Sequence, residues 1–249
     1  MRANERVSAI LKATKLTKKS TKNRVAFVSF VVFVSFVVDA VGTSTVDRMS
    51  EKLRIVALGD STTAGTPAFK SPLEAPPNGA GDDTSQYAYW LMKAHPEWEV
   101  LNRGINAQRS DQIRARFERD VVEAKPAVVV IIAGVNDVYQ GLSASHVTGQ
   151  LRAMYDRAKQ AGIRVVAGTI IPYNTATPEQ NARMHEINLW IRNLADADGN
   201  IDVADTRAAA AAADNPDRLA DSPDGLHPTA AGYRRMAEAV QRVLEGIRG

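Results

Sequence analysis

From residue 53 onward the chain alternates short β-branched runs with longer segments of helical period, and this alternation limits the fold more than any other feature. Strand-like runs occupy residues 53–58, 99–102, 127–133, 164–169 and 200–204. Helical patterns occupy residues 85–94, 110–124, 143–161, 178–194 and 229–246. The run Val128-Val129-Val130-Ile131-Ile132 has no polar face, as expected of a central strand covered by helices on both sides. Strict alternation implies right-handed crossovers, and hence an α/β fold with a parallel sheet of about five strands. No linker or fold-scale repeat interrupts residues 53–249, so they read as one domain. The Pro- and Gly-rich stretch 65–81 reads as a loop over the sheet. The Ala-rich tract 208–213 reads as a short helix or spacer without chemistry.

The first 48 residues are a different kind of sequence. They hold nine of the 31 Lys/Arg and three of the 28 Asp/Glu, which leaves 22 against 25 in residues 49–249. The overall charge of +3 therefore belongs to a basic leader attached to a mildly acidic domain, and the nucleic-acid partner that a basic chain suggests is not supported. An uncharged run follows the leader from Val25 to Val38, and it repeats one hexamer, Phe-Val-Ser-Phe-Val-Val. Its 14 residues fall short of the roughly 20 that span a bilayer. A basic stretch, a short apolar run and the small residues Ala40 and Gly42 fit a secretory signal. The β-branched and aromatic make-up of the run, with Met49 just before the first strand, fits instead a non-structural tail and a start at Met49. The first reading implies an exported or anchored protein, the second a cytoplasmic one. Both place residues 1–48 outside the fold and confine any membrane contact to residues 25–38.

In a sheet of this kind, ligands bind beyond the carboxyl ends of the strands. Chemistry-bearing residues stand there: Gly59-Asp60-Ser61-Thr62, Asn102-Arg103-Gly104, and Gly134-Val135-Asn136-Asp137. Asp224-Gly225-Leu226-His227-Pro228 precedes the last helix. Cysteine is absent, so a nucleophile must be sought among hydroxyls. Ser61 is placed for that role, although a helix N-cap explains a serine there equally well. The segment is not a Gly-x-Ser-x-Gly elbow, because Thr63 holds the last position. Of the four histidines, His95, His146 and His185 lie in or beside helical patterns and read as surface residues. His227 lies in a turn three residues after Asp224, where a carboxylate can hold Nδ1–H and leave Nε2 to accept a proton. A surface turn capping the last helix is the alternative. Asn136 and Gly104 offer an amide and a backbone N–H, the donors an oxyanion needs, though both are also ordinary turn residues. Asp60, Asp137, Asp224 and His227 could together ligate a divalent metal, but no paired spacing supports that.

The order of these four blocks resembles that of the SGNH hydrolases, also called GDSL esterases/lipases, over essentially all of residues 53–249. Within that family the chain looks most like the bacterial acyl-CoA thioesterase I/lysophospholipase L1-type group. The resemblance implies a three-layer α/β/α flavodoxin-like sandwich and a serine esterase without cofactor or metal. It implies Ser61 as nucleophile, His227 as general base and Asp224 as its orienting acid. Ser61 N–H, Gly104 N–H and the Asn136 amide would then form the oxyanion hole. Two departures stand out: Thr62 replaces the Leu of the family's name, and Ala107 stands where a second Gly is frequent. The loops 65–81, 138–145 and 172–178 would shape the pocket, and their few large apolar residues (Phe69, Leu73, Tyr139, Leu142, Tyr173) favour short- to medium-chain acyl esters. A carbohydrate O-deacetylase on the same machinery is the alternative. From another class comes a non-catalytic module in which the Gly59–Gly65 turn cradles phosphate, although P-loop and dinucleotide glycine patterns are missing.

Overall fold

The computed structural model describes residues 52–247. The extension 1–48, its repeated apolar run and Met49 lie outside the described residues. Five strands form one sheet: β1 (Leu53–Gly59), β2 (Trp98–Gly104), β3 (Val128–Ile132), β4 (Arg164–Gly168) and β5 (Ile201–Ala204). All neighbouring pairs are parallel and the order is β2-β1-β3-β4-β5. That is the flavodoxin-like arrangement of a doubly wound sheet. The helices are α1 (Ser61–Ala64), α2 (Tyr87–Ala94), α3 (Ser110–Ala115), α4 (Val135–Tyr139), α5 (Ala144–Gln160), α6 (Pro178–Ala197), α7 (Thr206–Ala210) and α8 (Ala230–Ile247).

The apolar run of β3 shows why the sheet needs two covering layers. Val129 and Ile131 join one core with residues of α3, α5 and α6. Val128, Val130 and Ile132 join a second core with residues of α2 and α8 on the opposite face. In β1, Val56 and Leu58 enter the first core and Ile55 and Ala57 the second. Each fully buried aliphatic side chain stabilises the fold by roughly 1.5–3 kcal/mol, so an apolar residue at every position of a central strand is favoured. Ile131, 1% exposed, is a direct probe: Ile131→Ala should cost about 2–5 kcal/mol. A lowered urea midpoint at unchanged slope would show it, and an unchanged midpoint would contradict this account of the core.

The structure departs from the sequence reading in three local ways. The expected helix 110–124 is two pieces, α3 and a π-helical turn at Glu118–Val122. The break serves Arg116, whose buried guanidinium donates to Gly59 O and Arg103 O at 2.8 Å each and to Asp120 Oδ2 at 2.7 Å. The stretch 65–81 contains a small ribbon, Phe69–Lys70 against Ala80–Gly81, and is anchored to the sheet where Ser71 Oγ donates to Gly104 O at 2.6 Å. The tract 208–213 ends α7 and then forms a short strand, Ala211–Ala212, paired with Asn215–Leu219.

Candidate active site

Gly59 ends β1, and α1 begins two residues later. A Cβ at Gly59 would run into Thr63 Oγ1 and Ile132 O, so only glycine lets the chain turn this tightly against β3. Asp60 caps α1, accepting the Thr62 N–H at 3.0 Å. This places Ser61 at the first helical position, where a backbone N–H has no intrahelical partner.

Ser61 Oγ lies 2.9 Å from His227 Nε2, and His227 Nδ1 lies 2.7 Å from Asp224 Oδ2. With Nδ1–H donated to the carboxylate, Nε2 is the acceptor for the Ser61 hydroxyl. Asp224 Oδ1 accepts the N–H of Leu226 at 2.8 Å and of His227 at 2.9 Å. Burial alone would raise the Asp224 carboxyl, but the bonds from His227 and the two backbone N–H groups outweigh it and hold the group below its ordinary range. Two residues outside the motif brace this turn. Ser222 Oγ donates to His227 O at 2.7 Å and accepts the Gly225 N–H at 2.8 Å. Asn174 N–H donates to Gly225 O at 2.7 Å, and Asn174 Oδ1 accepts the Leu219 N–H at 2.9 Å. Ser222 belongs to the same loop as Asp224 and His227, whereas Asn174 reaches it from a distant loop and is not legible in sequence.

Asn136 lies in α4, entered through Gly134 at φ 121°, a backbone conformation suited to glycine. One amide hydrogen of Asn136 goes to Gln108 O at 3.0 Å, which fixes the amide plane and leaves the second hydrogen uncommitted. Asp137, fully buried, accepts the Ser110 N–H at 2.8 Å and the Ser110 hydroxyl at 2.6 Å. It thereby ties the loop after β2 to the loop after β3.

A cavity of about 190 Å³ lies over this group, lined among others by Ser61, Ala107, Asn136, Tyr139, Tyr173 and His227. Four of the five expected site residues thus converge: Ser61, Asn136 and His227 on the cavity, and Asp224 behind His227. Gly104 does not join them. Its N–H donates to Asn102 Oδ1 at 2.9 Å, and a Cβ there would strike Ala64 N, so glycine at 104 admits α1 against β2. Ala107 takes its place on the cavity. It holds φ 61°, rare for a residue with a side chain, and its N–H makes no hydrogen bond to the described residues.

The other readings fare differently. The N–H groups of Thr62, Thr63, Ala64 and Gly65 all donate to Asp60 or Ser61, so the Gly59–Gly65 turn has few donors left for a phosphate. The metal grouping Asp60–Asp137–Asp224–His227 does not assemble. Among the described residues, the ligand atoms that gather within 4.8 Å belong to Asp111, Asp137 and His146, and both Asp137 oxygens are held by Ser110. His95 lies between Glu97 at 2.9 Å and Glu245 at 3.0 Å, and His185 meets Asp217 at 2.7 Å.

The described residues thus form a three-layer α/β/α fold with a hydroxyl, an imidazole and a carboxylate in hydrogen-bond contact at the carboxyl edge of its sheet. The chain belongs to the GDSL-like Lipase/Acylhydrolase family, whose model matches residues 57–235. A putative lipolytic protein of the G-D-S-L family from Desulfitobacterium hafniense DCB-2 superposes with a TM-score of 0.64 at 26% identity, covering 77% of this chain and 99% of that one. Axe2, an acetylxylan esterase from Geobacillus stearothermophilus, superposes with a TM-score of 0.60 at 24% identity, covering 76% and 92%. In sequence, the uncharacterized lipoprotein YqeF of Bacillus subtilis (strain 168) is 27% identical over 128 residues, which span 47% of this chain and about half (48%) of that relative. Among the described residues no helix is long and apolar enough to cross a membrane.

Proposed function

We propose that this chain hydrolyses short- to medium-chain acyl esters through a Ser61–His227–Asp224 triad. The carrying observation is the 2.9 Å and 2.7 Å chain of contacts from Ser61 Oγ through His227 to Asp224. Ser61 Oγ attacks the acyl carbonyl carbon as its proton passes to His227 Nε2. The Asn136 amide and the N–H groups of Ser61 and Ala107 receive the oxyanion. His227 then returns the proton to the leaving oxygen, and water, deprotonated by the same imidazole, releases the acid from the acyl-enzyme. The cavity of about 190 Å³ is smaller than the roughly 300–1,000 Å³ of clefts that take drug-sized ligands, which favours short acyl groups.

A second reading, removal of acetyl groups from carbohydrate, has its own support. Tyr139, 57% exposed, stands at the cavity and offers a ring face to a sugar, and a structural relative is an acetylxylan esterase. An acyl series of p-nitrophenyl esters from acetate to decanoate, beside acetylated xylan, separates the two. A kcat/KM maximum between butyrate and octanoate supports the simple esterase. Activity confined to acetate and higher on acetylated xylan supports the deacetylase. No turnover across the panel, with no labelling of Ser61 by a serine-directed phosphonate, would overturn both.

The lipoprotein name of the B. subtilis relative favours export through residues 1–42 over a cytoplasmic start at Met49, while a lipid anchor would need the cysteine this chain lacks. Fractionating cells that express the full chain against a chain begun at Met49 tests this.

A further inference from the structure

Asp60 takes no part in the acyl-transfer steps, yet it is completely buried directly before Ser61. Its Oδ1 accepts the Thr62 N–H at 3.0 Å and so holds the first turn of α1. Its Oδ2 is buried without a hydrogen-bond partner among the described residues. The Tyr87 hydroxyl, which interacts with Thr63, also feels the charge of Asp60.

The surroundings offer this carboxylate no counter-ion. Thr62 of α1 is hydrogen-bonded to it and Asp137 of α4 adds a like charge, while Tyr87 of α2 and Tyr233 of α8 feel its charge. Arg116 is the nearby cation, but its guanidinium is committed to Asp120, Gly59 O, Arg103 O and Gln108 Oε1. A bare anionic oxygen in such a place is heavily penalised, whereas a proton on it removes the charge and creates a donor. Burial is the chief cause pushing the Asp60 carboxyl up to about 7, with the Thr62 bonds and Arg116 opposing and Asp137 adding.

We propose that Asp60 is a positioning residue that works as a neutral carboxylic acid up to near neutral pH: Oδ1 holds α1 so that Ser61 faces His227, and a proton on Oδ2 removes a charge that the buried site leaves unpaired. The proposal rests on Ser61 being the nucleophile, and one of its tests does not read activity. Asp60→Asn keeps the capping oxygen and places an N–H donor where the O–H stood, and Asn caps helices as well as Asp. It should retain kcat within about threefold, whereas Asp60→Ala should lose about 10- to 100-fold in kcat at nearly constant KM, the scale of a misplaced nucleophile. The second test is Tm against pH. A carboxyl raised on folding binds its proton more tightly in the native state, so wild-type stability falls as pH rises from about 4 to about 7. Asp60→Asn lacks that loss, so its Tm minus that of wild type should climb across this window and level off above it.

A kcat in Asp60→Asn as low as in Asp60→Ala would show that the charge is needed and overturn the proposal. So would a wild-type kcat in Asp60→Ala, or a Tm difference that ignores pH. Should Asp60→Ala fail to fold, the Asn variant and the Tm series decide alone. If instead Ser61→Ala kept its activity, the nucleophile assignment would fail while the Tm series still reported on the buried proton.

Discussion

Ser61→Ala is expected to lower kcat on a p-nitrophenyl ester by about 10⁴- to 10⁶-fold, the largest effect any single substitution in this chain should produce. Among the described residues, the hydroxyl is the only group on the cavity with a base in hydrogen-bond reach and a third group orienting that base. Ser61 is 4% exposed, and its side chain is small, so the fold should hold and Tm should scarcely change. His227→Ala should cost about as much, and the double variant should be no worse than either, because the two residues act as one unit. Asp224→Asn should lose about 10⁴-fold, since an amide at the Oδ2 position favours the wrong imidazole tautomer. Steady-state kinetics with phosphonate labelling checks all of these. Wild-type turnover in Ser61→Ala, or effects of Ser61 and His227 that multiply, would refute the triad.

Much of this arrangement was legible in sequence, for a physical reason. A parallel sheet with helices on both faces leaves its signature in uninterrupted apolar runs such as 128–132, and the position of ligands at the carboxyl ends of strands is a property of the topology. Ser61, Asn136, Asp224 and His227 were therefore candidates by place as well as by type, each with an ordinary structural alternative, and the family resemblance gave them their roles. What stayed hidden depends on contacts between segments far apart in the chain. Arg116 interrupts a good helical pattern because Gly59, Arg103 and Asp120 converge on its guanidinium, and nothing in residues 110–124 announces that. Asn174 braces the His227 turn from a distant loop. Ala107 is the instructive miss. The family resemblance points to Gly104, yet a Cβ there would strike Ala64 and its glycine lets α1 approach β2, and the left-handed residue on the cavity is an alanine.

That difference sets up the second large effect. Asn136→Ala should lower kcat by about 10²- to 10³-fold with little change in KM, the loss expected when one oxyanion donor disappears, or about 3–4 kcal/mol of transition-state stabilisation. The ground-state carbonyl is weakly charged and gains little from the amide, whereas the oxyanion gains much from a donor already held in place by Gln108 O. If the remaining donors are Ser61 and Ala107, deleting the N–H of residue 107 should hurt comparably. Replacing Ala107 by the α-hydroxy acid lactate removes that N–H and keeps the methyl group, and about 10²-fold in kcat is expected. The same backbone ester at Gly104 removes the hydrogen bond to Asn102 Oδ1 and should appear in Tm more than in kcat. Ala107→Gly should keep full activity and raise stability by about 0.5–1 kcal/mol, because glycine takes a φ of 61° without the clash a Cβ creates. The reverse pattern, with kcat lost on the ester at 104 and kept on the ester at 107, would return the third donor to Gly104. It would also require the loop between them to rearrange when substrate binds, since in this structure the Gly104 N–H already has its acceptor.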